Sequence, residues 1–226
     1  MKKILIAASI AAISSGALAA DLKPYIEGSI GYYNLDDVET KTYSGNLNVN
    51  GTNVAFSGKA KTEYKSDVGG GIELGLRDVG ISNLRLGASY QRMQFDMEKV
   101  IASVAVSLAG TTYSQSADIT SAVRAENINL DNSVKVYMLN AYYDFKNSSQ
   151  FTPFVGTGIG MADIQNAKDN ELALSASLGG KYNFDKNIYL GLKGAFTRVN
   201  GPTDKIGIEY EDIDLWSAHA LLGYEF

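Results

Sequence analysis

Ser217 and His219, near the C-terminal end of the sequence, are of the residue types that act as a nucleophile and its general base. They stand two residues apart, so in a β-strand both side chains point to the same face. That spacing separates neighbours on one face by ~6.5–7 Å, and no acidic residue is predicted beside them to orient the imidazole. We therefore predict that they are not a catalytic pair, and that His219 is bonded to a nearby carboxylate instead.

The composition excludes several other kinds of site. The chain has 226 residues with one histidine and no cysteine, which excludes a disulfide framework, a thiolate zinc site and a thiol nucleophile. The formal net charge of −5 disfavours a nucleic-acid binder, which would present a basic face. No apolar run approaches the ~18 residues of a membrane-spanning helix. We predict no cofactor, no metal and no nucleic-acid partner.

The first nineteen residues have the three parts of a secretory signal peptide in order. Residues 1–3 are a short basic start, residues 4–13 are almost wholly apolar, and residues 17–19 form an Ala-x-Ala cleavage site. This pattern predicts a signal peptide over residues 1–19 and a mature domain over residues 20–226 that works outside the cytoplasm.

Eight segments of the mature chain alternate between apolar and small or polar residues. In the clearest, Asp67–Arg77, every even-numbered residue is apolar or glycine, and three of the odd-numbered residues are charged. Only a β-strand sorts residues in this way. The other segments are residues 26–32, 84–90, 137–145, 155–161, 172–184, 188–196 and 216–226.

The faces opposite the apolar ones carry charges of both signs that nearly balance, as expected if they pair in a narrow interior. We expect Glu73 and Arg85, on neighbouring strands, to meet there. The candidate residues of this lumen charge network, to which we assign a structural role, are Glu27, Asp67, Glu73, Arg77, Arg85, Asp144, Lys181, Lys193, His219 and Glu225.

Alternating strands in a closed ring can build either a soluble carrier, with the apolar face inside, or a membrane barrel, with the apolar face outside. Aromatic residues decide between the two, because they stand at both ends of the apolar faces, as at two membrane interfaces. One level holds Tyr32, Tyr90, Tyr137, Phe196 and Trp216; the other holds Tyr143, Phe145, Tyr182, Phe184, Tyr224 and Phe226. The sequence therefore predicts an all-β fold, an eight-stranded antiparallel transmembrane β-barrel with long extracellular loops.

The connections between the predicted strands alternate in length, which places both termini on the periplasmic side. Asn50-Gly51 predicts a type I′ hairpin within the first long loop. Residues 100–109 predict a strand pair that extends above the membrane. The short connections are residues 78–83, 146–150 and 185–187; the long ones, acidic overall, are residues 34–62, 97–132, 163–171 and 199–212.

Residues 25–32, 139–145 and 153–160 and the C-terminal Phe226 resemble the OmpA/OmpX-like barrels of Gram-negative outer membranes, and more narrowly the opacity-type surface antigens. In that family a C-terminal aromatic residue is read by the barrel assembly machinery, so the resemblance implies this role for Phe226. Because the sequence ends with the last predicted strand, we expect no peptidoglycan-binding domain like that of full-length OmpA. These barrels share their strands and differ in their loops, so the resemblance implies a fold more than a function.

We expect a non-enzymatic surface barrel of the cell outer membrane that contributes to envelope integrity and adheres through its extracellular loops. Its expected partners are outer membrane lipid and lipopolysaccharide, the barrel assembly machinery, and a ligand on host or neighbouring cells. Two alternatives stay open: a lipid A-modifying enzyme that uses Ser217 and His219, and a narrow ion-leak channel. The interior of an eight-stranded barrel is just wide enough to be filled by side chains, which disfavours the channel.

Overall fold

The computed structural model describes residues 23–49, 52–108, 110–126 and 132–226. Most of these residues lie in strands. The elements, in chain order, are β1 (Lys23–Leu35), β2 (Val38–Glu39), β3 (Tyr43–Val49), β4 (Thr52–Tyr64), β5 (Asp67–Arg77), β6 (Leu84–Phe95), β7 (Met97–Leu108), β8 (Thr111–Asp118), α1 (Thr120–Ala125), β9 (Asn132–Asp144), β10 (Phe151–Ile164), β11 (Glu171–Asn183), β12 (Ile188–Val199) and β13 (Ile213–Glu225).

Eight of the strands close into an antiparallel barrel in the order β1–β13–β12–β11–β10–β9–β6–β5, with β5 pairing back to β1. Their alternating residues divide as the sequence predicts. Leu178 and Leu192, on the outward face, are 68% and 71% exposed, whereas Arg85, on the inward face, is 1% exposed. Exposed leucines around a ring with charges inside are the inverse of a water-soluble barrel. The predicted fold class is confirmed.

The two predicted aromatic levels also form. At the outer level, Tyr90 lies opposite Tyr137 and Phe196 lies opposite Trp216, with ring centroids 5.3 Å and 4.7 Å apart. At the inner level the aromatic residues stand in pairs two residues apart along a strand, with centroids 4.9–5.2 Å apart: Tyr143 and Phe145, Tyr182 and Phe184, and Tyr224 and Phe226.

The three short turns and the two ends of the barrel chain lie together at the inner level. The backbone N–H of Phe226 donates to the carbonyl oxygen of Pro24 at 3.0 Å, which ties the last strand to the first. In the β5–β6 turn, Asp78 accepts hydrogen bonds from Lys23, from Lys146 and from the backbone N–H of Asn83. Partial burial opposes ionisation of Asp78, but these hydrogen bonds outweigh it and hold the pKa of the carboxyl well below its ordinary value.

A second sheet rises from the outer end of the barrel. Strands β4 and β7 continue the β5–β6 pair outward, with the backbone N–H of Lys65 donating to Asp96 at 3.0 Å between the two ladders. Strand β8 adds to β7, while β2 and β3 pair along the other side of β4. The strand pair predicted for residues 100–109 is therefore formed by β7 and β8. The predicted Asn50-Gly51 turn joins two paired strands, β3 and β4, but itself lies outside the described residues, as does the predicted signal peptide.

The helix α1 is a single short turn after β8. In the described part of the chain, no helix combines the length and the apolar character needed to cross a membrane.

The barrel interior is not polar throughout, which corrects the sequence-based expectation. Its outer half is filled by an apolar cluster, in which Tyr33, Met93 and Phe95 are at most 1% exposed. The expectation failed because the alternation is inverted at the outer end of β9, where Val134, Val136 and Met138 point inward while the charged Lys135 points outward. The other buried members of the cluster are Ala162, Ala173, Val199 and Leu215.

Candidate functional site

Ion pairs fill the inner half of the barrel interior. Lys181 contacts both Asp144 at 2.9 Å and Glu225 at 3.3 Å, and Glu225 also pairs with Arg77. Arg85 lies 3.4 Å from Asp144. Because every one of these side chains comes from a different strand, the network joins opposite sides of the ring as well as neighbouring strands.

Arg85 is at the centre of this network and is held by rings as well as by carboxylates. Its guanidinium lies 3.6 Å from Glu27 and 4.3 Å from the ring centroid of Tyr142. The rings of Tyr25 and Phe154 lie 5.1 Å and 5.2 Å away. A cation over aromatic faces is stabilised by their quadrupoles, and most strongly where water is excluded. None of these three rings is among the residues predicted for the interior, although each stands at an inward position of its strand.

The expected contact between Glu73 and Arg85 is wrong for the described residues. Glu73 instead accepts hydrogen bonds from three neutral donors: the hydroxyl of Tyr25, the hydroxyl of Tyr142 at 2.8 Å and the amide of Asn140 at 2.7 Å. Arg85 and Glu73 stand four positions apart along the β5–β6 ladder, since Arg85 lies opposite Arg77. Neutral inward-facing donors near a carboxylate were the missing signal.

Three of the predicted lumen residues, Lys193, Asp67 and His219, lie apart from this network. Lys193 is 7% exposed, but no carboxylate of the described residues lies within 4 Å of its amino group. It lines a cavity of about 20 Å³, together with Ser175, Ser177 and Ser217. Asp67 stands opposite Tyr33 near the outer end of β5 and forms no ion pair within the described ranges.

Ser217 and His219 do touch, which corrects the sequence-based argument from strand spacing. His219 Nε2 and Ser217 Oγ are 2.8 Å apart. The spacing along the strand axis separates the two backbone positions, whereas the imidazole is long enough to lean toward its neighbour. The expected carboxylate partner is also wrong: His219 packs edge-on against Tyr33 at 5.1 Å, and its buried Nδ1 has no hydrogen-bond partner among the described residues.

No cluster of three or more histidine, aspartate or glutamate side chains in the described ranges is arranged to hold a metal ion. The interior therefore offers structural ion pairs and one Ser–His contact. The remaining candidate surface is the outer sheet.

One face of the outer sheet is apolar from its base to its tip. At the base, Val38, Thr62 and Val100 lie opposite one another and are buried. Two rows farther out are exposed or half-buried: Leu47, Val54 and Leu108 form one, and Phe56, Val106 and Tyr113 form the other. Residues directly opposite across a ladder share a face, so these rows continue the buried one.

The other face of the same sheet is lined by hydroxyl groups. The side-chain hydroxyls of Ser103 and Ser116 form a hydrogen bond with their oxygens 2.8 Å apart, and those of Ser107 and Thr112 form one at 2.7 Å. The sheet is thus amphipathic, although both faces of its outer part are open to solvent.

The last long loop braces the base of the outer sheet on the side of β2. The backbone N–H of Glu211 donates to Glu39, and the backbone N–H of Lys41 donates to Glu209, at 2.9 Å and 2.8 Å. Burial, together with the nearby Asp204 carboxylate, raises the pKa of Tyr210 to about 12, so its hydroxyl remains protonated at neutral pH.

A closed barrel with apolar side chains outside, two aromatic levels, short inner turns and long outer loops defines a membrane β-barrel of the bacterial outer membrane class. The chain belongs to the family described as outer membrane protein beta-barrel domain, whose model matches residues 5–226. It is accordingly a protein of the cell outer membrane.

Three known proteins are similar to the chain. Outer membrane protein PagN of Salmonella typhimurium strain LT2 is 35% identical over 81 residues, an alignment that covers 28% of this chain and 34% of PagN, about a third of that relative. Neisserial surface protein A has a TM-score of 0.52 and 12% identity, covering 90% of this chain and 97% of its own. OprG from Pseudomonas aeruginosa has a TM-score of 0.47 and 14% identity, covering 90% and 95%. At 12% identity, the Neisserial structure supports the fold alone.

Proposed function

We propose that this protein is a non-enzymatic surface barrel that contributes to envelope integrity and makes contacts with host or neighbouring cells through its outer sheet. The observation that carries the proposal is the exposed apolar face of that sheet, in which Leu47, Phe56 and Tyr113 are 56%, 39% and 67% exposed. Nothing about insertion in lipid requires an amphipathic sheet outside the membrane. Contiguous exposed apolar surface on a stable scaffold is typical of interaction sites.

The filled interior argues against the channel alternative. Paired charges occupy its inner half and the apolar cluster around Phe95 occupies its outer half. The cavity between them, about 20 Å³, has room for about one water molecule. A solute would have to displace both layers, so we expect no solute-sized conductance.

The contact between Ser217 and His219 is the one observation that favours the enzyme alternative. A serine nucleophile needs a base that is itself oriented, and a substrate that can reach it. Here the second ring nitrogen of His219 has no partner in the described chain, and the ring is 2% exposed inside the barrel. The adjoining cavity of about 20 Å³ is far too small for a lipid or peptide. We therefore assign the pair to interior packing.

The membrane context supplies the other partners of this proposal. Residues 1–19 act as a signal peptide and residues 20–226 form the mature barrel domain. Outer membrane lipid and lipopolysaccharide surround its apolar face. The barrel assembly machinery recognises Phe226, the aromatic residue that follows β13. No cofactor, metal or nucleic acid enters the proposed function.

Surface contact can be tested by changing the two faces of the outer sheet separately. The variant Val104→Ser/Leu108→Ser removes apolar side chains that are 52% and 43% exposed, and should weaken attachment of cells that display it. The matched control Ser103→Ala/Ser107→Ala changes the hydroxyl face of the same strand and should attach normally. A chain shortened within residues 97–132 should fold as a barrel and lose attachment.

Heat-dependent gel mobility measures the folding of each variant independently of attachment, so a loss of attachment can be distinguished from a loss of folding. Equal attachment by the wild type, the apolar-face variant and the shortened chain would show that the outer sheet makes no contacts.

A further inference from the structure

Strand β8 leaves one edge of the outer sheet open. It pairs with β7 over eight residues, from Thr111 opposite Leu108 to Asp118 opposite Ile101, and no strand of the described residues pairs with its other side. All eight residues of β8 are exposed. The outward-pointing N–H and C=O groups of such an edge are a template for another strand.

Natural edge strands are usually protected, and β8 is not. It contains no proline, lysine or arginine, its only charge is Asp118 at its end, and its ladder with β7 is regular throughout. Lysines, prolines and bulges are the ordinary devices that prevent edge-to-edge pairing. An edge that lacks all of them is suited to pairing.

The opposite edge of the same sheet is obstructed. It is broken between β2, which ends at Glu39, and β3, which begins at Tyr43. The segment 209–211 hydrogen-bonds into that break, and the backbone N–H of Glu209 also donates to the hydroxyl of Tyr43 at 2.7 Å. No strand of the described chain pairs with the outer side of β3 from Ser44 to Val49 either, but the loop segment blocks its base, whereas β8 is open along all eight of its residues.

The direction of β8 selects the partner. Because β7 continues β6 away from the barrel and β8 is antiparallel to β7, β8 runs back toward the membrane. A strand antiparallel to β8 must therefore run outward from this membrane. A second copy of β8 does so when its own membrane faces this one.

The sequence of β8 is complementary to itself in that arrangement. With Ser114 opposite Ser114, the hydroxyl face pairs Thr112 with Ser116, and the apolar face pairs Tyr113 with Gln115. A hydroxyl pair of this kind already occurs in the β7–β8 ladder, between Ser107 and Thr112. In this register Asp118 falls opposite Gly110, so no like charges meet.

We propose that β8 pairs antiparallel with β8 of a second copy in a facing outer membrane, joining two outer sheets into one across the gap between cells. The inference rests on the proposed function, since it names the partner of the outer sheet. Each contact is small, and many copies on two facing membranes would add up through multivalency.

Full-length protein in two populations of vesicles, one of them fluorescently marked, tests the pairing. Wild-type vesicles should cluster across populations. Ser114→Lys should lower the clustering rate about tenfold, since two lysines then meet at the symmetry axis. Mixing Ser114→Lys vesicles with Ser114→Glu vesicles should restore clustering.

The matched control is Ser44→Lys. Ser44 lies in the same cross-strand row and on the same face as Ser114, through Ser57 and Ala105, but at the obstructed edge. It adds the same charge and should leave clustering unchanged. If Ser44→Lys abolishes clustering as strongly as Ser114→Lys, the contact runs through β3, and the β8 pairing is wrong.

The absence of cysteine allows a direct test of the register. Ser114→Cys should form a disulfide-linked dimer between populations, because directly opposite residues lie within disulfide reach. Thr112→Cys should not cross-link to itself, but should cross-link to Ser116→Cys in the other population. Cross-linking of Thr112→Cys to itself, or none by Ser114→Cys, overturns the proposed pairing.

Failure of this inference differs from failure of the proposed function. If wild-type vesicles do not cluster while cells that display the protein still attach to other surfaces through the apolar face, the self-pairing is wrong and the surface role stands.

Discussion

Replacing Arg85 by methionine should destabilise the barrel far more than removing any exposed arginine. Arg85 is 1% exposed and is the only cation of the described chain within 4 Å of Glu27, at 3.6 Å. Methionine keeps an unbranched apolar stem and is not much smaller in volume than arginine, so the void that it leaves is limited. The change therefore isolates the loss of the buried charge.

The size of the loss in stability follows from the buried carboxylate that Arg85→Met leaves without a cation. Glu27 would keep its hydrogen bond from Tyr189 at 2.7 Å but would lie uncompensated opposite Glu73, which faces it across the β1–β5 ladder. Breaking a buried pair by removing one partner costs ~3–5 kcal/mol, or roughly 10²- to 10⁴-fold in the unfolding constant. The ion-pair distances of 3.4 Å and 3.6 Å are long, so most of this loss comes from the stranded carboxylate.

The assay is denaturant unfolding of the barrel in lipid bilayers, followed by heat-dependent gel mobility. Arg198→Met is the control: its two hydrogen bonds to Asp214, at 2.6 Å and 2.7 Å, are shorter, but its side chain is 53% exposed. We expect that control to cost less than ~1 kcal/mol, because solvent screens the pair.

Adding Glu27→Gln to Arg85→Met should recover at least ~1 kcal/mol, since a neutral amide can still accept the Tyr189 hydroxyl without leaving a buried charge. Two results would refute the reasoning: a loss no larger than that of Arg198→Met, or a double variant no more stable than Arg85→Met alone.

Three further predictions address the lipid face, the inner turns and the Ser–His contact. Leu74 points outward and is 47% exposed, so Leu74→Arg should lower the free energy of unfolding by ~2–4 kcal/mol near the bilayer midplane, measured in a refolding titration. Ser175→Arg should act instead by crowding the interior cavity. A neutral Leu74→Arg would show that the outward face is wrongly assigned. Asp78→Asn should lower the free energy of unfolding at neutral pH. Because the pKa of Asp78 is depressed in the folded state, the stability that its carboxylate contributes is present above the ordinary pKa of about 3.9 and is lost as the pH falls below it. The unfolding curves of variant and wild type should therefore converge in acid, and an unchanged difference would contradict this. His219→Ala should leave the lipid A mass spectrum unchanged, and an altered spectrum in that variant would favour the enzyme.

The barrel could be predicted from the sequence because a single local rule positions it. In β5 each outward residue from Val68 to Leu76 is apolar or glycine, and a one-residue shift would put Glu73 into lipid. Lipid therefore fixes the faces, and the pleat of the strand fixes the alternation. Turn lengths then give the orientation.

The interior partners could not be predicted in the same way, since they depend on register and side-chain reach across the ring. Glu73 and Arg85 lie on adjacent strands, yet Glu73 bonds to Asn140 and Tyr142 on β9, a strand far away in sequence. The outer apolar cluster was not predicted for a different reason. From Val134 to Met138 the apolar residues face inward and Lys135 faces outward, and alternation alone does not say which face of a strand lies inside. The pairing of β4 with β7 joins two separate loops, which no local pattern specifies.

The alternation of strands such as β5 also governs how the chain reaches its membrane. In β5 each lipid-facing residue is followed by a glycine or a charged residue, so the extended chain presents no long continuous hydrophobic segment to the inner membrane that it must cross first. During export the polypeptide thus behaves like that of a water-soluble protein. Its affinity for hydrocarbon is created only when the strands pair and turn their outward side chains to one surface, which delays membrane insertion until the barrel assembles at its destination.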